Sequence, residues 1–167
     1  PPPDAQTVHR MMNFLVAQEV PADYVPMMLE EMELDGDDQR SDAWGDEVPQ
    51  ARREEHTVLV IGGGMSGVLA AYRLQEAGIP YVVLEKNASV GGTWFENRYP
   101  GARVDVGNHL YSYSFEPAHH WTQYFSQQGE LQQYFENVVD NHALRERFRF
   151  NTEVVSAVFD ESAQRWV

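Results

Sequence analysis

The alternation of apolar and polar positions divides the chain into two parts. From Asp4 to about Leu34, apolar residues recur at helical spacing, and Pro21 interrupts them. This pattern predicts two short helices, the second resuming at Tyr24. Residues 35–50 are acidic, contain glycine and lack any period, so they predict a linker.

Beyond Arg53 the pattern becomes that of a strand, a glycine turn and a helix. It predicts a β-branched apolar strand over Thr57–Ile61, a helix over Met65–Ala77 and a second strand over Tyr81–Leu84. Gly78 is typical of the residue that follows the end of a helix. Two such strands joined by a helix form a βαβ unit, which requires a parallel sheet.

The rest of the chain predicts further, shorter elements. Residues 91–107 are punctuated by glycine and proline and are predicted to be irregular. The elements expected after them are an extended piece over Leu110–Phe115, an amphipathic helix around Leu131–Asn141, a strand over Phe148–Phe150, and a hairpin made from Val154–Phe159 and Arg165–Val167. We therefore predict an α/β fold, with an incomplete Rossmann-like βαβ domain over residues 51–167 and a helical extension over residues 1–50.

Composition and charge restrict the partners of this fold. With 167 residues the chain has room for one domain with a substantial core. Its net charge is −14, and residues 1–50 carry 12 Asp and Glu against two Arg. Surfaces that bind nucleic acid or anionic membranes need clustered Lys and Arg, so neither is expected as a partner.

The absence of cysteine limits the chemistry further. A chain without cysteine can form no disulfide, thiolate metal site or cysteine nucleophile, and no metal site is predicted. No apolar run has membrane-spanning length and no signal peptide is recognisable, so a cytoplasmic location is expected. The chain begins with PPP and not with Met, which suggests that it is part of a longer product.

The glycine turn Gly62, Gly64 and Gly67 carries the clearest chemistry. It fills the GxGxxG pattern directly after an apolar strand and at the start of a helix, which is the context that dinucleotide binding requires. The first glycine permits the tight turn, the second lets a pyrophosphate approach the backbone, and the third lets the helix pack close to the strand. The helix then offers unpaired N–H groups to the phosphates.

Glu85 stands at the end of the second predicted strand, 18 residues after Gly67. A carboxylate in this position can accept hydrogen bonds from a ribose hydroxyl and repels a 2′-phosphate. NAD and FAD both meet these conditions. The turn Val90-Gly91-Gly92-Thr93-Trp94 favours FAD, because it adds a second accessible backbone and an indole near a flat ring, although a loop with a buried Trp is an alternative.

The string GGTWFENRYPGARVDVGNHLYSYSF, residues 91–115, closely resembles the FAD-binding part of type I Baeyer–Villiger monooxygenases. In that family a GGTW-type turn and an NRYPGARxD segment follow the flavin GxGxxG turn. The resemblance extends from about Thr57 to the last residue and includes WTQYFSQQGELQQYFENVVD. The N-terminal extension, with RMMNFL and ADYVPMMLEEMEL, is similar to that of members most like hydroxyacetophenone monooxygenase.

The resemblance implies roles for particular residues. Those that would hold the pyrophosphate and adenosine of FAD are Gly62, Gly64, Ser66, Gly67, Glu85 and, through its backbone, Val154. Those that would border the flavin are Gly92, Thr93, Trp94, Asp105 and Tyr111. Arg103 and Asp105 would also face the nicotinamide cofactor, which makes them the catalytic candidates. A loop-capping role is the alternative for Asp105.

The resemblance also implies an activity and its partners. Members of the family use FAD, NADPH and O₂ to convert ketones into esters or lactones, and the cofactor supplies the difficult chemistry. This chain contains no second GxGxxG and no FxGxxxHxxxW signature. The NADPH site is therefore expected mostly outside it, and the chain is expected to be the first part of an enzyme and inactive alone. A homodimer through residues 1–50 is a further expectation.

Two alternatives remain open. The chain could be a non-catalytic assembly or dimerisation fragment, in which the glycine turn serves as a scaffold. It could instead belong to a related flavin monooxygenase that oxidises nitrogen or sulfur. That class shares the glycine turn but is expected to lack NRYPGARVD, so this segment favours the Baeyer–Villiger interpretation.

Overall fold

A computed structural model of the chain describes residues 2–32, 47–108, 110–118 and 120–167. The chain divides into two compact units, Pro1–Ser41 and Asp42–Val167. Most of the predicted linker lies outside the described residues. The predicted domain boundary at residue 50 stays a prediction.

The first unit contains two helices, as predicted: α1 (Ala5–Val16) and α2 (Tyr24–Met32). Asp4 caps α1, since its Oδ1 accepts a hydrogen bond from the Thr7 N–H at 2.7 Å. This hydrogen bond lowers the pKa of the Asp4 carboxyl. The connection after α1 is held by Asn13, whose Oδ1 accepts from the Val20 N–H at 2.7 Å.

The second unit is built on a three-stranded parallel sheet, which confirms the predicted fold class. Its strands β1 (Val58–Ile61), β2 (Tyr81–Leu84) and β3 (Phe148–Arg149) lie in the order β1-β2-β3. Val58 pairs with Tyr81, and Val83 pairs with Phe148. The sheet therefore places the carboxyl ends of β1 and β2 side by side, followed by the glycine turn and by Glu85.

The remaining elements of the second unit surround this sheet. Helix α4 (Met65–Glu76) joins β1 to β2, and α5 (Thr93–Glu96) is a single turn. The longest helix is α6 (Gln128–Asn141), followed by a 3-10 turn at Arg145–Arg147. The last elements form an antiparallel hairpin of β4 (Phe159–Asp160) and β5 (Arg165–Trp166).

A short helix, α3 (Gln50–Arg53), was not predicted from the pattern. It lies against the C-terminal end of α4, where Arg53 Nη1 donates to the Ala77 carbonyl at 2.8 Å. Gln50 Nε2 donates to the Gly78 carbonyl at 3.3 Å. These bonds join residues that are far apart in the sequence, and a helix of four residues is too short to show a helical period. The pattern of apolar and polar positions could therefore not predict α3.

Two predicted elements differ in the structure. Leu110–Phe115 was predicted to be extended but forms turns, because the Tyr113 N–H donates to the Tyr134 hydroxyl at 2.8 Å instead of to a neighbouring strand. The final hairpin begins at Phe159, later than predicted, and is lengthened by reciprocal backbone bonds between Val158 and Val167.

The core lies between the sheet, α4 and α6. Helix α6 buries one apolar stripe, and the fully buried members of this stripe are Leu131, Phe135, Val138 and Val139. These side chains join Val68 from α4 and Val83 from β2 in one hydrophobic cluster. Burial on this scale is the main favourable term for folding and fixes α6 beside the glycine turn.

Among the described residues, no helix combines the length and the apolar character needed to cross a membrane.

Candidate dinucleotide-binding site

The first glycine turn connects β1 to α4 through Gly62, Gly63 and Gly64. Gly62 has φ +99°, a conformation that glycine adopts readily and other residues avoid. Its N–H donates to the Leu84 carbonyl at 2.8 Å, so the turn begins while the backbone is still paired with β2. The sheet therefore fixes the starting point of the turn.

Gly64 and Gly67 differ in what the protein itself requires of them. A methyl group at Gly67 would lie 1.9 Å from the Gly62 carbonyl oxygen, so α4 and the turn can approach this closely only at a glycine. A methyl group at Gly64 would lie 3.6 Å from the Gly92 Cα, an ordinary contact. The absence of a side chain at Gly64 is therefore not explained by packing within the described residues.

The N-terminal end of α4 follows this turn. Gly64 occupies the N-cap position, with no capping side chain and no acidic residue in the first turn. Its carbonyl accepts the first helical hydrogen bond, from the Val68 N–H at 3.0 Å. Ser66 is exposed in this first turn. Uncapped N–H groups and the positive end of the helix dipole attract phosphate groups.

Glu85 lies directly after β2 and is only 3% exposed. Its Oε2 accepts from the Gly63 N–H at 2.5 Å, and its Oε1 accepts from the Asn87 N–H at 2.7 Å. A methyl group at Gly63 would lie 3.1 Å from Oε2, so the carboxylate also fills the space beside this glycine. Glu85 thus holds the glycine turn, a role that the sequence did not indicate.

The second glycine turn, Gly91 and Gly92, packs directly on the first. The Gly91 N–H donates to the Gly63 carbonyl at 2.9 Å. A methyl group at Gly92 would lie 2.9 Å from the Gly64 Cα, too close for any side chain. Both residues have positive φ, +116° and +52°. Gly92 is therefore required for the backbone-to-backbone packing of the two turns, and a methyl group at Gly91 would meet the Gln132 side chain at 2.1 Å.

Trp94 lies in the core, with 9% of its surface exposed. Its Nε1 donates to the Tyr111 hydroxyl at 3.0 Å, and the two rings meet edge to face at 5.9 Å. The Trp94 carbonyl accepts from Gln128 Nε2, which ties α5 to the start of α6. Thr93, by contrast, is exposed. The structure therefore brings Trp94 and Tyr111 together as a pair that supports the second glycine turn.

Among the described residues, Arg103, Asp105 and Val154 form no hydrogen bond with either glycine turn. The Arg103 and Asp105 side chains are exposed and make no hydrogen bond or ion pair within the described part of the chain. Val154 is half-buried, and its backbone groups have no hydrogen-bond partner among the described residues. It follows Thr152, whose N–H donates to the Glu85 carbonyl at 2.9 Å. This bond brings the segment before Val154 alongside Glu85.

Tyr113 is a supporting residue that the sequence analysis missed. It is buried, and its hydroxyl donates to the Met65 carbonyl at 2.5 Å, which fixes the first turn of α4. Burial raises the pKa of Tyr113, so the hydroxyl stays a neutral donor. Burial also raises the pKa of Tyr134 to about 12, and the Tyr134 hydroxyl donates to the Glu116 carbonyl at 2.9 Å. The closely spaced aromatic residues of YSYSF are the signal that could have indicated this role.

A parallel strand, a glycine turn, a helix with a free N-terminus and a buried carboxylate after the next strand define a Rossmann-like dinucleotide-binding fold. The family model of an NAD(P)-binding Rossmann-like domain matches residues 60–128. Within the described residues, no three His, Asp or Glu side chains are grouped in a way that could hold a metal ion.

Comparison with known proteins narrows this class. A Baeyer–Villiger monooxygenase of Streptomyces coelicolor is 47% identical over 114 residues, which cover 67% of this chain and 22% of that protein. An uncharacterized monooxygenase of Sinorhizobium fredii, y4iD, is 36% identical over 157 residues, which cover 94% of this chain and 22% of that protein. This longer alignment extends into residues 1–50.

Solved structures agree with these relatives. The crystal structure of OTEMO in complex with FAD and NADP matches with a TM-score of 0.61 and 35% identity, over 65% of this chain and 21% of that one. Over about two thirds of its length, the chain is therefore similar to Baeyer–Villiger monooxygenases. It spans about a fifth of the length of the relatives that it matches.

The close contact at Gly67 leads to a first prediction. Gly67→Ala should destabilise the protein by about 1–3 kcal/mol or more, because the added methyl group meets backbone and cannot be accommodated by a side-chain movement. Gly129→Ala, in the first turn of α6, is the matched control, since the methyl group there would meet nothing within 4 Å. It should leave stability unchanged or raise it by about 0.5–1 kcal/mol. Urea unfolding of both variants tests this, and equal midpoints would contradict it.

The hydrogen bonds of Glu85 lead to a second prediction. In Glu85→Gln, the NH₂ group of the side-chain amide must face one of the two backbone donors, the Gly63 N–H or the Asn87 N–H. That backbone N–H then loses its acceptor. The loss of about 1–3 kcal/mol should speed hydrogen exchange of the Gly63 or Asn87 amide by about tenfold or more. Mass spectrometry of peptides covering these residues in cofactor-free protein measures it. Glu153→Gln is the control, because Glu153 is exposed and its substitution removes the same charge. The same exchange rates in both variants would contradict the role of Glu85.

Proposed function

We propose that this chain is the FAD-binding segment of a flavin-dependent Baeyer–Villiger monooxygenase, which uses NADPH and O₂ to convert ketones into esters or lactones. The observation that carries the proposal is the absence of a side chain at Gly64, because packing within the described chain does not require a glycine there. This space lies at the uncapped start of α4, where a pyrophosphate can approach the backbone. The relatives named as Baeyer–Villiger monooxygenases support it.

The residues present fit FAD. The pyrophosphate would lie against Gly62, Gly64, Ser66 and Gly67. The remaining lone pairs of Glu85 would accept from the adenosine ribose, and the free backbone groups of Val154 would meet the adenine. OTEMO, which matches this chain in fold and sequence, binds FAD and NADP in its crystal structure.

Bound FAD would accept hydride from NADPH and activate dioxygen. This chain contributes the binding and the orientation. Gly92 and Thr93 would border the flavin, and the Trp94–Tyr111 pair would hold that turn in place. Arg103 and Asp105 present one positive and one negative side chain that make no contact in the described chain. We propose that they face the nicotinamide cofactor, whose site lies mostly outside this segment.

Gly64→Ala separates binding from folding. Cofactor-free Gly64→Ala should unfold at the same urea concentration as the parent, because the methyl group makes only ordinary contacts and φ is −77°. Its affinity for FAD should fall by about 10- to 100-fold, the equivalent of about 1–3 kcal/mol of steric overlap. Titration of cofactor-free, full-length protein with FAD, followed by flavin fluorescence, measures this affinity.

Ala70→Gly, in the middle of α4, is a control that should change stability but not cofactor binding. It should lower stability by about 0.5–1 kcal/mol and leave FAD affinity unchanged. Unchanged FAD affinity in Gly64→Ala would contradict the proposed pyrophosphate position. Release of FMN in place of FAD from the purified parent protein would contradict the choice of cofactor.

We further propose that the first unit forms a homodimer contact. Helix α1 exposes a run of large apolar side chains, including Phe14, which is 86% exposed, and Leu15, which is 79% exposed. Tyr24 and Met27 of α2 are about half exposed. Contiguous exposed apolar surface of this kind marks sites of association, and a self-complementary contact gives a closed dimer.

Deletion of residues 1–50 should therefore convert the full-length protein from a dimer to a monomer while FAD binding is retained. Light scattering gives the mass of each form. Phe14→Ser with Leu15→Ser should have the same effect without removing the helices, whereas Glu30→Ser with Glu31→Ser should not. An unchanged mass after deletion would contradict the intersubunit contact.

A further inference from the structure

The segment that carries Arg103 and Asp105 is paired with the segment that leads into α6. The Gln128 N–H donates to the Ala102 carbonyl at 2.9 Å, and Arg103 forms an antiparallel bridge with Gln127. The Val104 N–H then donates to the Ser126 carbonyl at 3.0 Å. Up to this point the two segments pair residue by residue.

The pairing is then interrupted and resumes at Asn108. The next bond runs from the Asn108 N–H to the Tyr124 carbonyl at 3.1 Å. Between the two bonds, one segment contributes residues 105–107 and the other contributes only Phe125. The two extra residues must leave the line of pairing, as in a β-bulge. Asp105 and Val106 are exposed at this excursion, while Gly107 is buried.

The Asn108 side chain closes the base of the excursion. It is 1% exposed, and its Nδ2 donates to Ser126 Oγ at 2.8 Å and to the Gln123 carbonyl. Its Oδ1 accepts from the Ser126 N–H at 2.9 Å. Ser126 is completely buried. Every polar atom of this carboxamide is used, and a fully satisfied buried polar group holds its surroundings in one arrangement.

Gly107 completes the base. A methyl group there would lie 2.8 Å from the Tyr124 ring and hydroxyl, so Tyr124 covers the backbone of the excursion. Asp105 therefore lies on a short exposed segment whose two ends are fixed by buried contacts, although its own carboxylate makes no hydrogen bond or ion pair within the described residues. Its direction is set by the base and not by partners of its own.

We propose that Asn108 is a positioning residue for the reaction, acting through Asp105. Its carboxamide fixes the geometry of residues 105–107 and thereby aims the Asp105 carboxylate at the bound cofactors. This inference rests on the proposed function, in which Asp105 faces the nicotinamide cofactor. A displacement of about 1 Å at a reacting group can lower a rate by about 100-fold, so loss of the Asn108 contacts should be visible in the kinetics.

The test is a double-mutant cycle in the full-length, FAD-loaded enzyme. Asn108→Ala, Asp105→Ala and the double variant are compared with the parent by stopped-flow measurement of flavin reduction by NADPH and of the subsequent oxygen transfer. Asp105→Ala and Asn108→Ala should each slow one of these half-reactions by about 10- to 100-fold with FAD content unchanged. In the Asp105→Ala background, Asn108→Ala should change the rate by less than about twofold, because residues that act as one unit are not additive.

Asn108→Ala leaves the buried N–H of Ser126 without its side-chain acceptor and could impair folding. Ser126→Ala removes the hydroxyl that accepts from Asn108 Nδ2 and keeps the bond from the Ser126 N–H to Asn108 Oδ1. It is used in the same cycle, with a smaller slowing and the same non-additivity expected. Ser126→Thr, which keeps the hydroxyl, should recover the parent rate. Asn137→Ala, on α6, is the control for loss of a carboxamide that, among the described residues, forms a side-chain hydrogen bond with Gln133 alone.

The outcomes separate the inference from the proposed function. Parent-like half-reactions in Asp105→Ala would overturn the proposed role of Asp105 and the inference with it. Slow Asp105→Ala combined with parent-like Asn108→Ala or Ser126→Ala would overturn the inference alone. Equal slowing by Asn108→Ala in the parent and in the Asp105→Ala background would also overturn it, because Asn108 would then act independently of Asp105.

Discussion

The contact between two stretches of backbone, Gly62–Gly64 and Gly91–Gly92, is the constraint on which the second unit depends. A methyl group at Gly92 would lie 2.9 Å from the Gly64 Cα, so no side chain fits at Gly92 between the two turns. One turn follows β1, and the other precedes α5 and the NRYPGARVD segment. Their contact therefore joins the part of the fold that suits a pyrophosphate to the part that carries the candidate catalytic residues.

Buried polar groups hold the second unit together at three separate places. Glu85 holds the Gly63 N–H, Tyr113 holds the first turn of α4 through Met65, and Asn108 holds the base of the Asp105 excursion. Each of these groups has its hydrogen-bond partners inside the chain, which is the condition under which burial of a polar group is tolerated. Arg103 and Asp105, which are proposed to face the nicotinamide cofactor, by contrast have no such partners among the described residues.

Local pattern predicted much of the fold. The bounds of β2 at Tyr81–Leu84 and the start of α4 at Met65 agree with the sequence, because the apolar run, the glycine turn and Gly78 are all local signals. The turns over residues 110–115 were not predictable in this way. Their conformation depends on a bond from the Tyr113 N–H to Tyr134, 21 residues away.

The candidate site shows the same division. The positions of Gly62, Gly64 and Gly67 could be predicted from their spacing directly after an apolar strand, which is a local signal. The partners of Glu85 and the Asn108–Ser126 lock could not, because they join segments whose separation in sequence carries no period. The burial of Trp94 agrees with the alternative of a loop with a buried Trp, whereas the hydrogen bond from its N–H to Tyr111 was not predicted.

The small helix α3 affects the electrostatics of helix α4, whose N-terminal end forms part of the site. Arg53 places a cationic group on the Ala77 carbonyl at the C-terminal end of α4, and Arg73 stands in the last turn of the same helix. Arg73 is paired with Glu76 at 2.7 Å, so the compensation of the negative pole of the helix dipole comes from Arg53. The first turn contains no carboxylate that would offset the positive pole. Helix α4 therefore acts as a one-sided electrostatic element. Within its own residues the helix leaves its positive pole without an opposing charge, at the end where Gly64 has no capping side chain.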